Sequence, residues 1–288
     1  MTYRQQNNCH ELLLRTVFVF TILFFPVSLA AQEAKPGTPL QQQASEELNK
    51  AAAAYRDANF AEAQRHSERA LQLDPESRTA PMFIARTIHA QYRPGVATIE
   101  NQTKAREAII AYQRILERFP NDEESYKAIA YLYGSLKEEE LLRDWVLKRA
   151  GDTSIQPDKR AEAYIVLASK DWDCSFKITE LPTHKVTTVT RNKAVVSYLM
   201  PKDQADFSQA QLCSNRGLEM AEQAVALAPE NESAWAYKAN LLLEHAKLLE
   251  MSGDTYRKSE LMRQYDEALT QKTKLAEAAQ RRAEKPER

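Results

Sequence analysis

Glycine is scarce in this chain, with 6 among 288 residues, and tryptophan scarcer, with 3. So low a glycine count, set beside an abundance of helix formers and 43% hydrophobic content, points to an all-α protein with a sizeable core. It also leaves no glycine loop able to cradle a phosphate. Cysteine is nearly absent: three residues, Cys9, Cys174 and Cys213, cannot furnish a cysteine-only zinc site. His184 lies between Cys174 and Cys213, but those three fall short of the compact four-ligand set that zinc needs. Neither sign of charge prevails, because 39 basic residues meet 40 acidic ones. The whole-chain field therefore recommends neither nucleic acid nor an anionic membrane as a partner. The sequence contains no H-E-x-x-H, C-x-x-C-H or G-x-S-x-G. His66, His89, His184 and His245 are scattered, and nothing marks a catalytic residue, a metal or a cofactor.

The N-terminus departs from the rest. Arg4 and Arg15 precede the apolar run "TVFVFTILFFPVSLA", which ends in the small residues Ser28 and Ala30. That is the pattern of a secretory signal peptide, residues 1–30, cut after Ala30. The run is shorter than the roughly 20 residues of a spanning helix, and Pro26 interrupts it. An uncleaved membrane anchor is the alternative. Cys9 precedes the run, on the wrong side for lipid attachment. Losing Arg4, Arg15 and Glu11 moves the formal charge from −1 to −2 and leaves no stable membrane span. Residues 31–43, "AQEAKPGTPLQQQ", read as a flexible leader.

Beyond the leader one spacing recurs. Ala63, Ser67, Ala70 and Pro75 share steps of 4, 3 and 5 with Ala108, Tyr112, Ile115 and Pro120, and again with Gly217, Ala221, Ala224 and Pro229. The first three of each set fall on one helical face, and the proline stops the helix just beyond. Tyr126, Ile129, Ala130 and Tyr133 form a second pattern, matched by Trp235, Ala239 and Leu242 except that Lys238 stands where an apolar residue is expected. Together the two patterns resemble the second and first helices of the tetratricopeptide repeat, a helix-turn-helix unit of about 34 residues. The resemblance is to exported bacterial proteins of that family and runs over roughly residues 44–260. It implies a right-handed α-solenoid of antiparallel helix pairs, about five of them, spanning 44–282, with 283–288 as a frayed tail.

Proline intervals locate what has been added. Pro75 to Pro120 is 45 residues, Pro120 to Pro157 is 37 and Pro157 to Pro229 is 72. The first excess is most simply "RPGVATIENQT", Arg93 to Thr103, and the last matches Cys174 to Cys213. That stretch is expected to be an insertion between the two helices of the fourth pair. Adjacent antiparallel helix ends lie roughly 8–10 Å apart, within range of a Cys174 to Cys213 disulfide after small adjustments. Closing a loop of about 40 residues stabilises by about 4 kcal/mol in the chain-entropy account. Inside it, "KVTTVT" and "AVVSYLM" flank "RNK" as a small β-hairpin. Val186, Val189, Val196, Tyr198 and Leu199 are expected to lie on the flank of the solenoid, with strand addition to a partner as the alternative.

In such solenoids the first helices line a groove that takes protein or peptide partners. The resemblance places Tyr55, Arg56, Arg86, His89, Lys127, Tyr131, Trp172, Asn240 and Glu244 there. Asn101 and Asn231 fit the glycosylation pattern but read as structural, Asn231 as a helix cap; Asn121 with Glu124 reads as a capping box. The last helix should turn Leu261, Tyr265, Leu269 and Leu275 inward as a cap on the array. The expectation is an exported, periplasmic or secreted, non-enzymatic scaffold for a protein or peptide partner, without nucleic acid. The alternatives are an enzyme or enzyme subunit with its site at the insertion and groove, and self-association through the solenoid ends.

Overall fold

The computed structural model describes residues 38–190 and 193–284. The expected export signal, residues 31–37 of the expected leader and residues 285–288 of the tail lie outside the described residues. Among the described residues ten α-helices form five pairs. They are α1 (Pro39–Arg56) with α2 (Phe60–Leu73), α3 (Thr79–His89) with α4 (Ile99–Arg118), and α5 (Glu123–Ser135) with α6 (Glu139–Gly151). Then come α7 (Pro157–Thr179) with α8 (Gln204–Leu227), and α9 (Glu232–Met251) with α10 (Thr255–Ala283). Each helix packs on the next in the chain, and α1 on α3 and α7 on α9 as well, so the architecture is an α-solenoid of tetratricopeptide type. Between α7 and α8 stand a short 3-10 turn (Pro182–His184) and an antiparallel hairpin, β1 (Lys185–Thr190) with β2 (Lys193–Tyr198).

The recurring small residues do what their spacing suggests. Ala63, Ser67, Ala70, Ala108, Ala221 and Ala224 are fully buried, and Tyr112 and Ile115 nearly so. At Gly217 a β-carbon would lie 2.6 Å from Leu241 Cδ2 and 2.9 Å from Asp171 Cβ, so α7, α8 and α9 converge on a residue without a side chain. The helices that end before Pro75, Pro120 and Pro229 finish alike. Asp74, Phe119 and Ala228 cap them with φ of −132°, −128° and −140° and ψ of 85°, 74° and 72°. Proline disfavours the helical region for the residue before it, which sets this common exit.

Turns inside the pairs come in two kinds. Those of the first, third and fifth pairs are tight and place Ala58, Lys137 and Gly253 at φ of 57°, 59° and 78°. In each the following amide reaches back to close the helix, Asn59 to Ala54, Glu138 to Tyr133 and Asp254 to Leu249, the Schellman ending of a helix. The second and fourth pairs carry the excursions. The first of these is a loop from Ala90 to Thr98, pinned by Asn101, whose side chain accepts from the Arg93 amide and donates to the Arg93 and Val96 carbonyls. The expected extra residues thus divide between this loop and the first turn of α4.

Four expectations are corrected. Helix α1 begins at Pro39, so residues 39–43 are helix rather than leader; polar glutamines hide an N-terminal turn from a reading of apolar periodicity. The cap of α5 is Asp122, which accepts from the Ser125 amide, not Asn121. On α10 the buried residue is Ala268 and Leu269 is exposed, because the close approach of α9 selects the small side chain. The hairpin does not lie flat on the solenoid: Val186, Val189, Val196 and Leu199 are exposed, and only Tyr198 packs at its base.

Candidate functional site: the first-helix face and the base of the hairpin

On α3 and α5 the structure brings three of the sequence-derived face residues together. Arg86 makes a bidentate pair with Glu124, Nε and Nη2 each 2.5 Å from a carboxylate oxygen, linking one first helix to the next. One turn along, the His89 ring tilts against Tyr131 with centroids 5.8 Å apart, and its Nδ1 is 3.3 Å from Tyr112 Oη. Tyr131 remains 52% exposed, a large aromatic held by a neighbour yet open to solvent. Lys127 is exposed on the same helix, and Arg56 is exposed in the last turn of α1. Tyr55 is half-buried, its ring edge-on to Phe60 and Phe83 at 5.6 and 6.3 Å, so it joins α1, α2 and α3.

Burial and pairing set the local electrostatics. Burial lowers the His89 imidazole from its ordinary value, keeping it neutral near pH 7. Burial likewise pushes the Tyr112 phenol to about 12. Hydrogen bonds from Arg86 to Glu124 raise the guanidinium further, so Arg86 stays charged. Neither His89 nor His184 is hydrogen-bonded to a carboxylate; His184 Nδ1 is 2.8 Å from the Ile178 carbonyl oxygen. Among the described residues histidine meets carboxylate at His66, 2.6 Å from Glu47 and 3.6 Å from Glu62.

The remaining predicted residues sit on α7 and α9. Trp172 packs against Phe176 and Tyr237 with centroids 4.9 and 6.3 Å apart, and Asn240 is half-buried. Glu244 is not on an open face at all: it is 1% exposed. Its carboxylate accepts from Ser175 Oγ at 3.2 Å, Thr179 Oγ1 at 2.7 Å and the Lys247 ammonium at 2.5 Å. Helix α7 packs directly on α9 here, so this position of α9 faces the α7 side chains rather than solvent.

Lys247 is the centre of a network that sequence reading missed. Its ammonium also meets Glu180 at 2.7 Å and lies 5.1 Å from the ring centroids of both Phe176 and Tyr198. Glu180 further accepts from Lys185 at 2.7 Å and from Tyr198 Oη at 2.9 Å. Burial alone would raise the Glu180 carboxyl; the bonds from Lys185, Lys247 and Tyr198 outweigh it and hold it at about 2. For Lys247 burial pulls the other way, and the two carboxylates again win and raise it. Beside this network Cys174 and Cys213 are bonded, with Cα atoms 6.0 Å apart. A single lysine on an otherwise ordinary helix gives no sequence sign of such burial.

No protein-family model matches the chain, and no curated protein matches it. Solved structures do resemble it. MamA (residues 41 to the end) from Desulfovibrio magneticus RS-1 is 12% identical with a TM-score of 0.36, over 77% of this chain and 96% of that one. PilF from Pseudomonas aeruginosa is 14% identical with a TM-score of 0.35, over 85% and 88%. A tetratricopeptide repeat protein from Parabacteroides merdae is 14% identical with a TM-score of 0.33, over 81% and 98%.

Proposed function

We propose that this chain is an exported, non-enzymatic scaffold that holds a protein or peptide partner on the face formed by its first helices. The observation that carries the reading is Tyr131, half exposed yet packed against His89, with the Arg86 to Glu124 pair joining the same two helices. A rigid aromatic with a polar rim is the composition of a binding hot spot, since it adds contact area at little entropic cost. Lys127, Arg56 and Asn240 border that face and supply polar contacts; Trp172 lies farther along it, and Tyr55 shapes it from beneath. Glu244 is excluded by burial.

Tyr131→Ala, made in the full chain and used to purify the partner from the native host, should reduce recovery about tenfold or more, the scale of a lost hot spot. Deleting 185–198 should leave recovery unchanged. The opposite pair of results would move the contact to the hairpin and overturn this reading. Export is tested by sequencing the N-terminus of the protein isolated from the envelope or medium: Ala31 as the first residue supports it, Met1 in a membrane pellet sinks it.

A further inference from the structure

The hairpin ladder determines which backbone groups are already paired. The Leu199 amide donates to the His184 carbonyl at 2.8 Å, and the register places Val186 opposite Ser197 and Thr188 opposite Val195. Hydrogen-bonded pairs alternate with non-bonded ones in an antiparallel ladder. The bonded pairs are therefore 184/199, 186/197 and 188/195. It follows that the amides and carbonyls of Lys185, Thr187 and Val189 point away from the ladder on β1, and those of Ala194, Val196 and Tyr198 on β2. An independent contact agrees: the Tyr198 amide, directed outward by this count, donates to Glu250 Oε1 at 3.1 Å.

The two edges consequently differ. The lower end of β2 is closed by α9, through Glu250. The main neighbours of β1 are β2 and the 3-10 turn, and among the described residues no hydrogen bond reaches the Thr187 or Val189 amide from outside the hairpin. Both faces beside that open edge carry exposed valines among threonines. Val189 and Val196 share one face at 75% and 44% exposure, Val186 and Val195 the other at 48% and 41%. Edges of this kind are ordinarily blunted by a bulge, a proline, a covering element or an inward charge, and β1 has none of these along Val186 to Val189. Its base, by contrast, is fastened by the disulfide and by the Glu180 and Lys247 contacts. An open strand on a fixed base is an acceptor already ordered for pairing.

We infer that the outer edge of β1 receives one extended, acidic segment of a partner protein, which adds to the hairpin as a third strand. The sign of the charge comes from the insertion itself: from Lys185 to Lys202 it holds four basic residues and no aspartate or glutamate. Lys185 is paired with Glu180, and the segment itself carries no carboxylate to offset the other three. A second copy of the hairpin would bring the same excess of positive charge and is disfavoured by it. Alternating valine and glutamate suits the site one face at a time: valines set beside Val189 and Val196 leave the carboxylates on the opposite face, where their charge answers the basic excess of the insertion. Pairing would engage the Thr187 and Val189 amides and the Lys185 and Thr187 carbonyls. This surface is separate from the first-helix face and does not depend on it.

The probe is a short synthetic peptide alternating valine with glutamate, titrated against the full chain while backbone amide exchange is followed residue by residue. Binding should slow exchange at Thr187 and Val189 and leave Lys127 and Tyr131 unaffected. Methylating alternate amides of the peptide, which removes its donors and leaves the protein intact, should weaken binding about tenfold. Thr187→Pro should do the same, because it deletes an outward amide and leaves the bonded pairs of the hairpin in place. Equal binding of the methylated peptide, or of a valine and lysine peptide, overturns the inference, as does the absence of binding. Slowed exchange that grows with protein concentration alone would assign the edge to a second copy and also overturn it.

Discussion

Lys137 and Gly217 are mismatched to their positions in opposite directions, and each makes a prediction by exchange with a neighbour in the amino-acid list. Lys137 holds φ of 59° in a tight turn where the equivalent position of the last pair is Gly253. An L-residue pays about 1–2 kcal/mol for that left-handed conformation. Its side chain is exposed, so little packing is at stake. Lys137→Gly should raise stability by about 1 kcal/mol, read as a shifted urea midpoint at constant slope. Gly217→Ala should lower it. Replacing a mid-helix glycine gains about 1 kcal/mol, but overpacking a buried contact costs about 1–3 kcal/mol. Leu241 is fully buried and Asp171 is held by Arg143 and Arg216, so neither can withdraw easily. Gly217 was legible from its place in the repeat. Lys137 was not, since the need for positive φ arises from the turn and not from the residue that occupies it.

Whole elements were read well where local chemistry decides them and poorly where a neighbour does. The prolines gave the ends of α2, α4 and α8, and Asn231 caps α9 as expected, accepting from the Ser233 and Ala234 amides. The hairpin was found from its β-branched runs, but not its stance. Valines that looked as if they must be covered stand in solvent, because polar anchoring at Glu180, Tyr198 and Lys247 fixes the base without burying the strands. Two consequences belong to that element. Cys174→Ser should cost up to about 4 kcal/mol by the loop-entropy account, with the hairpin's exchange protection falling first. Glu180 supplies the second. Its folded value of about 2 lies below the ordinary 4.5, so its ionisation favours the folded chain. That contribution is complete above pH 4.5 and is lost as pH falls from 4.5 toward 2. Glu180→Gln should flatten this part of the acid-unfolding curve; an unchanged curve would refute the role given to the carboxylate.

At the scale of the molecule, the solenoid ends where α10 covers α9. Ala239, Leu242 and Ala268 are buried between them, with Trp235, Leu261 and Tyr265 partly so. A chain stopped at Gly253 should expose that strip, bind a hydrophobic dye and self-associate in light scattering, while the full chain does neither. The five-pair plan and its two interruptions could be read from proline spacing because a solenoid repeats its own geometry along the chain. The candidate face could be read only in part. His89 on α3 packs against Tyr131 on α5 and Arg86 pairs with Glu124 across the same helices, whereas Glu244 is buried against α7, a contact between pairs that no periodicity records.

Helices that alternate in direction send every within-pair turn to the same rim. Both excursions, the Ala90 to Thr98 loop and the stapled hairpin, therefore emerge on one side, two pairs apart, while the opposite rim keeps its short connections between pairs. Length can be added or removed along that margin without disturbing how the pairs stack. The chain thus behaves like a rack with one free border, on which appendages can be exchanged while the frame is conserved.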